Sequence, residues 1–281
     1  MIMPAEHYDL IVIGSGPAGE KGAAQAAYFG KRVALIEREP VLGGASANTG
    51  TLSSKTLRET ALYLSGFRHR ELDGLDFRGL KSEVTIRDFM GREKVIVQRE
   101  RQRIQENLDR HRITLCRGVA SFVDAHTIAL RTEGVQKPGF LEKPGFCTRL
   151  TADFILIASG ASPYRPPDFD FNDPRVYDSD TILRLRDIPR SMLVVGGGVI
   201  GCEYACTFAA LGIQVRLVEK RDRIILSLDG EIAAALQAEM QEMGVRLRLG
   251  DTVASIRYGA EGGTRNPVSP RNRVSARTKS R

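Results

Sequence analysis

The chain has 281 residues, 42% of them hydrophobic, enough to bury the core of one large domain or two modest ones. No run approaches the roughly 18 uninterrupted apolar residues of a membrane span, and the N-terminus carries Glu6, His7 and Asp9 where a leader would be apolar. Four cysteines without metal-site or disulfide-scaffold spacing (Cys116, Cys147, Cys202, Cys206) lead us to expect a cytoplasmic protein with reduced thiols and no metal, and the +7 charge lies mostly (+5) beyond residue 258, so no nucleic-acid partner is expected.

Tyr8 to Ile13 reads as a buried strand, Pro17 to Phe29 as an Ala-rich helix stopped by Gly30, and Lys31 to Glu37 as the next strand, together one β-α-β unit. Ser54 to Leu64 and the long charged segment Val84 to His111 have helical periodicity. Short strands are expected at Ile113 to Leu115, Val119 to Val123, Thr127 to Leu130 and Asp153 to Ala158. A near-duplicated Lys-Pro-Gly-Phe, at 137–140 and 143–146, reads as a surface hairpin. The Pro-rich stretch Pro163 to Pro174 reads as a linker. A second β-α-β unit follows: strand Ser191 to Val195, helix Val199 to Leu211, strand Gln214 to Glu219, then helix Asp229 to Met243 and strand Val245 to Leu249.

Gly14, Gly16 and Gly19 form G-x-G-x-x-G between the first strand and its helix. The first glycine permits the tight turn, the second admits a pyrophosphate to the backbone, and the third lets helix pack on strand. The helix N-terminus then offers free N–H groups to phosphate charge. Glu37, 18 positions after Gly19, ends the second strand where a carboxylate can accept from an adenosine ribose. Gly196, Gly198 and Gly201 repeat the pattern, with Glu219 again 18 positions on.

Two such sites in one chain imply hydride traffic between a flavin and a nicotinamide nucleotide; a duplicated fold with one dead site is the competing reading. The carboxylate of Glu219 favours NAD, while Lys220, Arg221 and Arg223 offer positive charge to the 2′-phosphate of NADP or form a solvated turn. The fold class expected is α/β, with two Rossmann-like three-layer dinucleotide-binding units. An FAD domain over 1–165 is followed by an incomplete NAD(P) domain over 166–258 and a basic disordered tail over 259–281.

The segments Gly14 to Glu20, Gly43 to Lys55, Ala158 to Gly160 and Gly196 to Glu203 resemble the pyridine nucleotide-disulfide oxidoreductases, the two-dinucleotide flavoproteins that include dihydrolipoyl dehydrogenase and glutathione reductase. In that family the stretch matching Gly43 to Lys55 carries a redox pair of cysteines; here those positions are Ser46 and Thr51, and a hydroxyl cannot cycle between thiolate and disulfide. Cys202 and Cys206, at i and i+4 of a helix in the other unit, read as small packing residues.

The soluble pyridine nucleotide transhydrogenase branch works without that disulfide. The chain is similar to it in Gly50-Thr51, Ser54 to Arg58, Phe122 to Thr127, Tyr177 to Asp180 and Val199 to Ala205, and departs at Ser53, where the family has proline.

The resemblance implies cofactors FAD, NAD and NADP, with nucleotides as the small-molecule partners. It places Glu37, Arg38, Gly43, Gly44, Ala45 and Ser46 around the FAD adenosine and pyrophosphate, with Ala120, Ser159 and Gly160 also at the cofactor. Lys55 would lie near the flavin and Glu203 near the nicotinamide; their competing readings are a surface lysine at a helix start and a first-turn acid complementing the helix dipole. No side-chain acid or base is required. Family members are homo-oligomers through an interface domain that the resemblance, ending near residue 258, does not reach. The expectation is an FAD-dependent hydride transfer from NADPH to NAD in a C-terminally truncated chain. An inert dinucleotide-binding remnant and an NAD(P)H oxidase or quinone reductase are the alternatives.

Overall fold

The computed structural model describes residues 6–69, 85–132, 147–258 and 274–280. The chain divides into two units, one of residues 1–53 and 93–162 and the other of 54–92 and 163–281. The sequence division at 165/166 lies three residues from the break at 162/163, but residues 54–92 go with the second unit.

In the first unit, strand β1 (Glu6–Ile13) sends alternate side chains to opposite faces of the sheet. Leu10 and Val12 join one apolar cluster and Ile11 and Ile13 another. Strand β2 (Val33–Glu37) does the same, with Val33 and Leu35 on one side and Ala34 and Ile36 on the other, and all five of its residues are buried. A strand covered on both faces needs an unbroken apolar run, which is what its sequence provides.

Helix α1 (Pro17–Tyr28) connects the two strands. The six-stranded sheet runs β3-β2-β1-β6-β5-β4, where β3 is Thr114–Arg117, β4 Val119–Phe122, β5 Thr127–Arg131 and β6 Cys147–Ile157. Strands β3, β2, β1 and β6 are parallel neighbours, whereas β4, β5 and β6 pair antiparallel. Strand β6 is longer than expected, because its first residues pair with β5 before the rest pair with β1.

Three helices follow β2 in the chain: the short α2 (Gly44–Asn48), α3 (Thr51–His69) and α4 (Ile86–Arg110). Ile104 and Leu108 of α4 enter the cluster that covers Val12 and Leu35.

In the second unit, β7 (Ser191–Val195), β8 (Gln214–Glu219) and β9 (Arg246–Leu249) form a parallel three-stranded sheet, linked by α5 (Val199–Ala210) and α6 (Gly230–Glu242). Its core gathers Leu57 and Ala61 of α3, Phe89 and Met90 of α4, and Tyr204, Ala205 and Phe208 of α5. Phe208 meets Phe89 edge-on at 6.0 Å and stacks on Tyr204 at 6.2 Å between ring centroids. The stretch after Pro163 holds turns and a 3-10 turn at Thr181–Arg184.

Strands β10 (Asp251–Tyr258) and β11 (Val274–Ser280) pair antiparallel, with an irregularity between Val253 and Ser255. Disorder expected from residue 259 therefore does not hold for 274–280. The segment has little apolar surface to bury, but a two-stranded ladder satisfies backbone groups with few apolar side chains. The rest of the tail and the duplicated Lys-Pro-Gly-Phe lie outside the described residues.

Candidate functional site

Side chains cap α4 and α6, whereas α1, α2 and α5 start on glycines without such a cap. Asp229 accepts from the Glu231 N–H (2.8 Å) at the start of α6, and Thr85 and Asp88 cap α4 reciprocally. Helices α1 and α5 start on Gly16 and Gly198, both extended, with no side-chain cap. Neither start has an N-cap side chain to accept from its first-turn N–H groups, and a helix start of this kind can receive an anion.

The first turn is enclosed. Gly14 has φ +106, and a Cβ there would fall 2.3 Å from the Ala158 carbonyl oxygen, so the chain after β6, with Ser159 and the left-handed Gly160, passes directly beside it. A Cβ on Gly19 would sit 1.8 Å from the Gly14 carbonyl oxygen, which is the close approach of helix to strand expected of that glycine. Gly16 faces Gly44: a Cβ on Gly44 would lie 2.9 Å from the Gly16 Cα. Gly43 and Gly44 both have positive φ, and the turn they make brings the start of α2 against the start of α1.

Glu37 closes the turn from the end of β2 and is 6% exposed. Its Oε2 accepts from the Ser15 N–H (2.9 Å) and hydroxyl (2.5 Å), and its Oε1 from the Glu39 N–H (2.8 Å). The Ser15 Oγ in turn accepts from the Gly43 N–H at 3.0 Å. The β3–β4 connection docks at the same end of β2, with the Gly118 N–H on the Glu37 carbonyl and Arg117 Nη1 on the Glu39 carbonyl; the half-buried Ala120 follows on β4. Arg38 and Ala45 are exposed and Ser46 is half-buried. The structure thus brings the expected Gly14, Gly16, Glu37, Gly43, Gly44 and Ser159 around one turn.

Residues that the sequence reading did not single out hold this turn in place. Glu20, in the first turn of α1 and 2% exposed, accepts from Asn107 (2.7 Å) and pairs with Arg103 (3.3 Å) on α4 and with Lys21. Arg103 is held even more firmly protonated by Glu100 and Glu20. Asn48 donates to the Leu42 and Gly44 carbonyls and accepts from Arg101 Nε at 2.6 Å. The signal for this clamp is the polar face of α4, readable as helical but not as aimed at a glycine turn.

The second turn repeats the plan with less around it. Gly196 again has φ +106, and a Cβ on Gly201 would lie 2.0 Å from the Gly196 carbonyl oxygen. Glu219 accepts from the Gly197 N–H (2.6 Å) and the Arg221 N–H (2.9 Å), matching the Ser15 and Glu39 amides on Glu37. Among the described residues, a Cβ on Gly196 or Gly198 would meet nothing within 4 Å. The Gly197 carbonyl accepts from the Ile225 N–H (2.8 Å) and lies 3.6 Å from the Cys202 sulfur. Ile225 itself has φ +40. Glu203 accepts from the Ser54 hydroxyl at 3.2 Å; it lies beyond the first turn of α5, so the first-turn dipole reading does not hold. Lys55 is exposed on α3. Burial pushes the Cys202 and Cys116 thiols up to about 11 and also raises Cys206.

Comparison with known proteins agrees with this geometry. Residues 8–269 match the family described as pyridine nucleotide-disulphide oxidoreductase. The chain is 42% identical over 255 residues to the soluble pyridine nucleotide transhydrogenase of Mycobacterium bovis, covering 91% of this chain and 52% of that protein. It is 38% identical over 257 residues to the protein of that name from Vibrio parahaemolyticus, covering 92% and 52%. The chain therefore spans about half the length of these curated relatives. Among solved structures, it is similar to a Cu(II) complex of a mutant of the HOCl-induced flavoprotein disulfide reductase RclA from Escherichia coli, with a TM-score of 0.76, 26% identity, and coverage of 98% and 54%. With both glycine turns inside the matched span, the chain belongs to the pyridine nucleotide-disulphide oxidoreductase family.

Proposed function

We propose that the protein holds FAD at the first glycine turn and a nicotinamide nucleotide at the second, and that it passes hydride from NADPH through the flavin to NAD. The observation that carries this reading is the pair of uncapped helix starts, each beside a glycine turn closed by a strand-end carboxylate. The residues fit a dinucleotide: α1 and α5 begin without a side-chain cap, Gly16 and Gly198 carry no side chain at those starts, and Glu37 and Glu219 are read as holding ribose hydroxyls. When bound, the flavin supplies the hydride-accepting centre.

The chain's own part is binding and positioning. Gly43, Gly44 and Ser159 bound the pyrophosphate side of the first turn, and Ala45, Ser46 and Ala120 are read as further contacts. Arg38 is read at the adenosine, Lys55 at the flavin and Glu203 at the nicotinamide. Ser46 and Thr51 leave the thiol–disulfide step of the family's disulfide reductases without its sulfur atoms.

Among the described residues no helix is long and apolar enough to cross a membrane; action in the cytoplasm as a homo-oligomer is part of the same reading. The test is anaerobic spectroscopy of the purified chain. A yellow preparation bleached by NADPH and restored by NAD supports the proposal. A soluble, folded, colourless one that takes up no added FAD defeats it in favour of an inert remnant.

A further inference from the structure

We propose that Ser15 is a positioning residue for the first dinucleotide site, acting through the Glu37 carboxylate and the Gly43 amide. The inference rests on the reading of that turn as an FAD site and adds to it a residue that the glycine pattern does not specify. Ser15 is fully buried. Its hydroxyl donates a hydrogen bond to Glu37 Oε2 at 2.5 Å and accepts one from the Gly43 N–H at 3.0 Å, so one oxygen atom joins the end of β2 to the start of the Gly43-Gly44 turn. Those two segments are the ones expected to hold ribose and pyrophosphate.

The second turn shows what the plan looks like without this link. There the corresponding residue is Gly197, which reaches Glu219 through its backbone N–H alone. The hydroxyl is thus dispensable for making the turn and for closing it with a carboxylate. What it adds is the link to Gly43. Without it, the buried Gly43 N–H loses its acceptor and the Glu37 carboxylate loses a short donor, and both groups are freed to reorient before a ligand arrives.

The experiment measures FAD affinity by flavin fluorescence for the full chain, Ser15→Ala, Ser15→Thr, Glu37→Gln and the double variant S15A/E37Q. Ser15→Ala is expected to weaken FAD on the order of tenfold, Ser15→Thr to recover most of that loss by restoring a hydroxyl, and the double variant to lose less than the product of the single losses. A purely structural role would lower the melting temperature of the cofactor-free protein, and any loss of FAD affinity would multiply with that of Glu37→Gln. Wild-type affinity in S15A, or losses that multiply, overturns the inference while leaving the FAD reading standing. A folded wild-type chain that takes up no FAD overturns both. Should S15A not fold, Ser15→Cys keeps the side chain's size with a much weaker hydrogen-bonding group, and the same direction is expected of it.

Discussion

The two glycine turns share a backbone plan and differ in what surrounds it. Both open on a glycine at φ +106, both press their third glycine against the carbonyl of the first, and both are closed by a glutamate accepting two backbone amides. Around the first lie the Ala158 carbonyl, the Gly43-Gly44 turn, the Ser15 hydroxyl and the clamp from α4. Beside the first and second glycines of the other turn no described residue comes within 4 Å of an added Cβ. On the function proposed above, the difference suits a resident cofactor at the first site and an exchanging nucleotide at the second, since pre-formed walls lower the ordering cost of a resident ligand.

The largest expected effect sets the first glycine of each turn against the other. Gly14→Ala carries the cost of an unfavourable backbone angle plus a clash with Ala158, about 3 kcal/mol or more, while Gly196→Ala carries only the angle, about 1–2 kcal/mol. Chemical denaturation of the two variants checks this, and equal losses would break the contrast. Next comes Arg103→Leu, which strips the buried Glu20 of an ionic partner; Arg103 is half-exposed and Asn107 remains, so the loss expected is about 1–3 kcal/mol. Adding Glu20→Gln should return part of it in a double-mutant cycle. Ser54→Ala removes a donor from Glu203 on α5 and should cost about 0.5–1.5 kcal/mol, less than the loss at α1.

A pH dependence is expected beneath the second turn as well. Burial raises the Cys202 thiol from 9.0 to about 11, so the folded state holds a proton that the unfolded chain releases. Stability from this group is whole below about pH 9 and is lost as pH rises through about 11. Thermal unfolding of wild type and Cys202→Ala should therefore converge with rising pH over that range. Alkylation of Cys202 at pH 8 should be slow; fast labelling there would show that the turn opens far more readily than its contacts imply.

Much of this was legible in the sequence because glycine and apolar alternation speak directly to backbone geometry. The β1-α1-β2 and β7-α5-β8 units, their glycines and their terminal acids follow from local pattern alone. Helix α2 did not, because over only five residues Gly, Ser and Asn offset its two alanines and the turn is held by Asn48 bonding to Leu42 and Gly44. Strand β11 was missed because its pairing depends on a partner remote in the chain, β10. Ser15 escaped notice because the motif accepts any small residue at that position; its link to Gly43 spans 28 residues and appears only once the chain is folded.

Ile225 gives the second turn a property the first does not share. A branched side chain held at φ +40 stores backbone strain of about 1–2 kcal/mol, and its own N–H is what restrains the Gly197 carbonyl. The loop is kept taut by a residue under tension, where its counterpart is tied by a hydroxyl at rest. Ile225→Gly would relieve that strain and loosen the hold on the Gly197 carbonyl.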